Sequence, residues 1–140
     1  MDKKIIAVRL KKLDRVVSRL KQKRDLNHDN YIQNQDHQDV TERNFQLAIQ
    51  TCMDIANYII AETGMNVPDD EANIFKVLSE NNVIPEALGK RIKGMVNFRN
   101  ILVHDYLEID PDQVYDLLQN DLPDFDEFAR AILTYIESRE

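Results

Sequence analysis

Apolar residues recur every three or four positions along most of this chain. Ile6, Leu10, Leu13, Val17 and Leu20 stand four, three, four and three apart, with Ile5 and Val16 widening the stripe and lysines and arginines opposite. At 100° per residue that spacing returns to one face, so a first helix is predicted over about Lys3 to Asp25. The stretch Asn27 to Asp39 is polar, with only Tyr31 and Ile32 to anchor it, and is predicted as a loop with one short turn. Asp39 with Glu42 three residues on has the form of a capping box. Phe45, Ala48, Ile49, Cys52, Ile55, Ala56, Ile59 and Ile60 follow in a wide stripe to Gly64, a natural C-terminal stop. A shorter third helix is predicted from Asp69 to Glu80, with Ile74, Phe75, Val77 and Leu78 inside. Pro85 opens a fourth, in which Leu88, Ile92, Met95, Val96, Phe98, Leu102 and Val103 face the core. Asp110 and Pro111 start a fifth, burying Val114, Tyr115, Leu117 and Leu118. Pro123 interrupts the pattern, and Phe125, Phe128, Ala129, Ile132, Leu133 and Ile136 close it.

In 140 residues there are three glycines and four prolines, and no alternation of apolar and polar residues long enough for a sheet. The expected fold is all-α, an up-and-down helical bundle of four to six helices in one domain over residues 1–140. No apolar run approaches the roughly 20 residues that cross a bilayer, and Met1-Asp2-Lys3-Lys4 lacks the apolar core of a signal peptide, so a cytoplasmic protein is expected. Cys52 is the only cysteine, which rules out an internal disulfide, and its place in a helical stripe predicts a buried, inert thiol. His28 and His37 lie near Asp29, Asp36 and Asp39, but their spacing matches no tetrahedral site. They are expected at the surface, with no metal.

Charge is distributed unevenly. Residues 1 to 24 hold ten Lys/Arg against two aspartates, a surplus of eight, whereas Asp105 to Glu127 holds nine carboxylates and neither Lys nor Arg. One end is a candidate surface for an anionic partner and the other for a cationic one, unless both are simply solvated helix faces or blocks that neutralise each other within the fold or a dimer.

The densest chemistry is Phe98-Arg99-Asn100-Ile101-Leu102-Val103-His104-Asp105-Tyr106. Arg99 and Tyr106, seven apart, share one helical stripe, and Asn100 and His104, four apart, share another. A guanidinium, an amide, an imidazole and a phenol, all able to bind or act on a phosphate, thus meet at one helix end. The alternative is that Ile101, Leu102 and Val103 are core and the polar residues merely flank it. Glu42, Arg43 and Asn44 reach toward the same place if the second and fourth helices are antiparallel neighbours; otherwise they are a cap and a surface pair.

Arg99, four residues, His104, one residue and Tyr106 resemble the Arg-x4-His-x-Tyr signature of HEPN-domain proteins, specifically the HepT-like toxins encoded beside a minimal nucleotidyltransferase (MNT) antitoxin. The resemblance extends to Thr41–Gln50 with Asp54–Asn57, then Val83-Ile84-Pro85, then Phe98–His104, and covers about Val40 to Ile136 with the order of elements intact. The stretch Asn27 to Gln38 matches least.

The resemblance implies an endoribonuclease that needs no metal or other cofactor and works as a two-fold homodimer, with RNA cut in a cleft where motifs from two chains meet. Chemistry gives that independent sense. RNA is cut without metal when its own 2′-OH attacks the adjacent phosphate, which requires a base, an acid and stabilisation of the anionic phosphorane. One chain offers one catalytic imidazole, whereas a dimer brings two copies of His104 to one phosphate. Arg99 is then the phosphate-binding group, and Asn100 orients the imidazole or hydrogen-bonds the phosphate. The family also implies that the antitoxin transfers AMP from ATP to Tyr106. Two other readings stand beside this one. The first is a non-catalytic nucleotide- or RNA-binding subunit of a nucleotidyltransferase complex, and the second is an interaction protein whose acidic segment docks a basic partner.

Overall fold

The computed structural model describes residues 1–104 and 106–139, Tyr106 by its backbone alone. Among the described residues are eight α-helices and no strand: α1 (Lys3–Arg24), α2 (His28–Ile32), α3 (Gln35–Thr63), α4 (Ile74–Glu80), α5 (Glu86–Arg91), α6 (Met95–His104), α7 (Pro111–Asn120) and α8 (Leu122–Glu137). Two short 3₁₀ turns, Glu71–Asn73 and Tyr106–Glu108, complete them. The predicted all-α bundle is what the chain forms. Two elements beyond the six expected arise from α2 and from a break in the fourth helix.

The long α3 is the central column, packed by α1, α4 and α6, while α8 lies against α1, α5 and α7. Its stripe from Phe45 to Ile60 is buried as the periodicity predicts, and Gly64 ends it in the left-handed conformation, φ 72°, that a Cβ would strain. Aromatic contacts tie the layers together. Phe45 of α3 meets Phe98 of α6 with ring centres 5.7 Å apart and Phe125 of α8 at 6.4 Å, and Phe75 of α4 meets Phe128 of α8 at 5.7 Å. On α1, Ile6, Leu13, Val16, Val17 and Leu20 are buried but Ile5 is exposed; on α8, Phe125, Phe128, Ile132 and Ile136 are buried but Leu133 is exposed. Pro123 sits in the first turn of α8, where a missing N–H costs nothing, so it begins that helix rather than breaking one.

The polar stretch 27–39 is helix, not loop. Asn27 caps α2 by accepting from Asn30 N at 2.8 Å, and Asn34 caps α3 by accepting from His37 N at 3.0 Å. The Asp39–Glu42 pair therefore lies inside α3, and its capping-box form is coincidental. Periodicity missed this turn because its inward face is polar: Gln38, Thr41 and Asn44 are buried, and Gln38 Nε2 donates to Ile32 O at 2.8 Å, tying α3 to α2 over the buried Tyr31. Asn34→Ala is expected to lower stability by about 1 kcal/mol. Asp39→Ala is expected to leave it nearly unchanged, as paired urea melts of the two variants will show.

The fourth helix is likewise two. Pro85 directly precedes α5, the chain turns over residues 92–94 around the weak helix former Gly94, and α6 resumes at Met95. Leu88, Ile92 and Val96 are buried, whereas Met95, Phe98 and Leu102 are half-buried and Val103 is 39% exposed. No helix among the described residues is long and apolar enough to cross a membrane.

Candidate active site

The candidate motif residues Arg99, Asn100 and His104 lie on α6, which follows the break at 92–94 and packs on α3. Val96 is its one fully buried side chain. Arg99, one turn on, turns inward: its side chain is only 14% exposed, Nη2 donates to Glu71 Oε1 at 2.9 Å, and Nε is buried without a partner. His104 is the last residue of α6 and is exposed, and Asn100 is half-buried. Among the described residues neither side chain makes a hydrogen bond. Five positions separate Arg99 from His104, which at 100° per residue places them about 140° apart around the helix. One chain thus presents the guanidinium and the imidazole on different faces of the same helix end and does not join them. Asn100 and His104 do share a stripe. Tyr106 starts the 3₁₀ turn that follows, and its phenol lies outside the described residues.

α3 and α6 pack against each other through Phe45 and Phe98, which meets the condition that the second and fourth helices be neighbours. Glu42, Arg43 and Asn44 nevertheless make no side-chain hydrogen bond to Arg99, Asn100 or His104 among the described residues. Arg43 is exposed. Asn44 Nδ2 donates back to Val40 O at 2.8 Å, leaving its buried Oδ1 without a partner. The Glu42 carboxyl is pushed above its ordinary value by burial and by Asp39. Glu71 is the residue that local pattern does not single out, since nothing near it in sequence marks a carboxylate that meets Arg99 from 28 positions away.

Beside α6, on the Phe98 and Ile101 side, a groove of about 400 Å³ opens between α3, α7 and α8, floored by Phe45, Val114 and Phe125 and rimmed by Glu108, Asp110, Asp121 and Asp124. Burial and then Asp124 raise the Asp121 carboxyl above its usual value. The carboxylates outnumber Arg91, which also lines the groove, and so disfavour a phosphate backbone there. The acidic block is partly neutralised within the fold. Arg91 pairs with Asp124 and Glu127, Lys21 with Asp126 at 2.9 Å, and His28 with Asp112. His37, on α3, has a basic partner instead, its Nδ1 lying 2.9 Å from Lys23 Nζ. Among the described residues no three His, Cys, Asp or Glu side chains gather as a metal site. Cys52 is fully buried, and burial drives its thiol well above the ordinary range.

A family model described as "Ribonuclease HepT-like" matches residues 10–132 of this chain. The chain belongs to that family. Its relatives include the "mRNA nuclease HepT" of Shewanella oneidensis, 38% identical over 95 residues that make up 68% of this chain and 71% of that one. The "tRNA nuclease HepT" of Aphanizomenon flos-aquae is 31% identical over 138 residues, covering 97% and 92%. Among solved structures, a tri-AMPylated Shewanella oneidensis HEPN toxin in complex with MNT antitoxin superposes with a TM-score of 0.86 at 32% identity, over 96% of this chain and 99% of that one. For this HepT-like ribonuclease the HEPN resemblance read from Arg99, His104 and Tyr106 is therefore correct at the level of family and fold.

Proposed function

We propose that this HepT-like chain is the toxin of a toxin–antitoxin pair, an endoribonuclease that cuts RNA without metal in the cleft of a homodimer and is silenced by an MNT antitoxin that AMPylates Tyr106. The observation that carries this reading is the division of labour on α6: an imidazole exposed at the helix end and, one turn back, a guanidinium held by a carboxylate. The relatives named mRNA and tRNA nucleases support RNA as the substrate, and the Shewanella toxin solved with its antitoxin supports the partner.

In the reaction, the 2′-oxygen attacks phosphorus in line as His104 of one protomer takes its proton. The bond to the 5′-oxygen breaks as His104 of the partner subunit, protonated, supplies that oxygen with a proton. The products are a 2′,3′-cyclic phosphate and a 5′-hydroxyl. Arg99 balances the charge of the phosphorane with a group that stays protonated throughout, and Asn100, on the His104 stripe, orients the imidazole. Dimerisation is supported by the half-buried and exposed apolar side chains near the motif. Phe98, Ile101 and Leu102 are incompletely covered, Val103 is 39% exposed and Leu107 88% exposed.

Incubation of the purified protein with RNA in excess EDTA is expected to yield fragments with cyclic phosphate ends, from a species that sediments as a dimer. Binding without cutting leaves the non-catalytic subunit instead, and a monomer that cuts at full rate removes the shared cleft.

A further inference from the structure

We propose that Glu71 is a positioning residue for Arg99, fixing which edge of the guanidinium meets the RNA phosphate. The inference rests on the reading of Arg99 as the phosphate-binding group and adds a residue to it.

Arg99 is a long, flexible side chain that is almost wholly withdrawn from water, and its one ion pair among the described residues is with Glu71, Nη2 to Oε1 at 2.9 Å. That is the length of a charge-assisted hydrogen bond. A guanidinium so desolvated is costly to keep without an opposite charge. Glu71 supplies that charge while itself remaining 52% exposed. Its support is firm. Asp70 caps the turn by accepting from Ala72 N at 3.0 Å and Asn73 N donates to Asp70 O at 2.9 Å, after which Ile74, Phe75 and Leu78 bury α4 in the core.

The buried Nε, which has no partner, shows which way the fork faces. With Nε buried and one Nη2 hydrogen on Glu71, the donors left to a ligand are those of Nη1 and the remaining Nη2 hydrogen. One donor on each of these two nitrogens, held parallel, is the arrangement that grips two phosphate oxygens. Glu71 thus orders the guanidinium before RNA arrives. Without it the fork turns about its last torsions and meets the phosphate in several poses, few of them aligned for in-line attack.

The test compares Glu71→Ala and Glu71→Gln with the wild-type dimer on a defined RNA. Glu71→Ala is expected to lower kcat about tenfold with KM changed by less than about twofold. Glu71→Gln, whose amide oxygen still accepts from Nη2, regains most of that loss. Circular dichroism and sedimentation stay unchanged, because the Glu71 side chain is half exposed. Independently of cleavage, nitrogen NMR of the Arg99 side chain is expected to resolve separate Nη signals in the wild type that merge in Glu71→Ala as rotation is freed. An Ala variant as active as wild type, an equal loss in Ala and Gln, or unchanged Nη signals overturns the role of Glu71. A wild-type protein that leaves RNA intact, or a fully active Arg99→Ala, instead overturns the proposed function, and the NMR comparison then decides the pinning by itself.

Discussion

His104→Ala is expected to cut RNA between 100 and 10,000 times more slowly than the wild-type protein, the range by which a positioned acid or base speeds proton transfer. The variant removes both proton-transfer groups at once, because a single position supplies the base on one protomer and the acid on the other. The fold is expected to survive. His104 is exposed at the last residue of α6, makes no side-chain hydrogen bond among the described residues, and lies two turns from Val96, the buried anchor of that helix. Mixing separates a shared site from two independent ones. When His104→Ala subunits are exchanged into wild-type dimers, activity falls with the square of the wild-type fraction if both imidazoles act on one phosphate. An equal mixture then retains about one quarter of the rate, against about one half if each chain works alone. Cleavage assays in EDTA across a series of mixtures read the exponent directly. A linear fall removes the two-imidazole mechanism, and an undiminished His104→Ala removes His104 from the chemistry.

The helices were legible where burial is apolar and obscure where it is polar. α3 from Phe45 onward and α7, with Asp110 accepting from Asp112 N at 3.0 Å and Pro111 at the first position, lie where their stripes and caps predict. The first turns of α3 were not legible, because Gln38, Thr41 and Asn44 fill the inward face there and a polar run reads as loop. Ile5, Val103 and Leu133 follow their helical stripes yet are exposed, since a stripe marks a face without saying whether a neighbour covers it along its whole length. The same limit governs the site. Spacing placed Arg99, Asn100 and His104 on one helix end, which is a local property. The inward turn of Arg99 and its pairing with Glu71 depend on a contact made across 28 residues, and no periodicity reports such a contact. The acidic segment, a candidate docking face unless solvated or neutralised within the fold, is partly committed to Arg91, Lys21 and His28, again through contacts distant in sequence.

Incubation with the cognate MNT antitoxin, ATP and Mg²⁺ is expected to reduce cleavage to background, with AMP found on Tyr106 by mass spectrometry. The phenol oxygen attacks the α-phosphorus of ATP and pyrophosphate leaves, so each transfer adds a nucleotide and a negative phosphodiester two residues beyond His104. At that distance the adduct opposes RNA in two ways: its bulk fills the approach to the imidazole, and its charge repels the backbone phosphate that Arg99 must hold. Tyr106→Phe separates modification from binding. This variant keeps the ring but lacks the acceptor oxygen, so it is expected to cleave RNA within about threefold of wild type and to stay active after the same incubation. Salt distinguishes the two modes of inhibition. If charge dominates, raising the ionic strength from about 0.1 M to 1 M shortens the screening length from roughly 10 to 3 Å and narrows the gap in RNA binding between modified and unmodified protein, although both bind more weakly. If bulk dominates, binding stays lost at every salt concentration. An adduct confined to Tyr115, whose hydroxyl donates to Leu26 O at 2.7 Å on the far side of α7, or inhibition of Tyr106→Phe equal to that of wild type, removes Tyr106 as the switch.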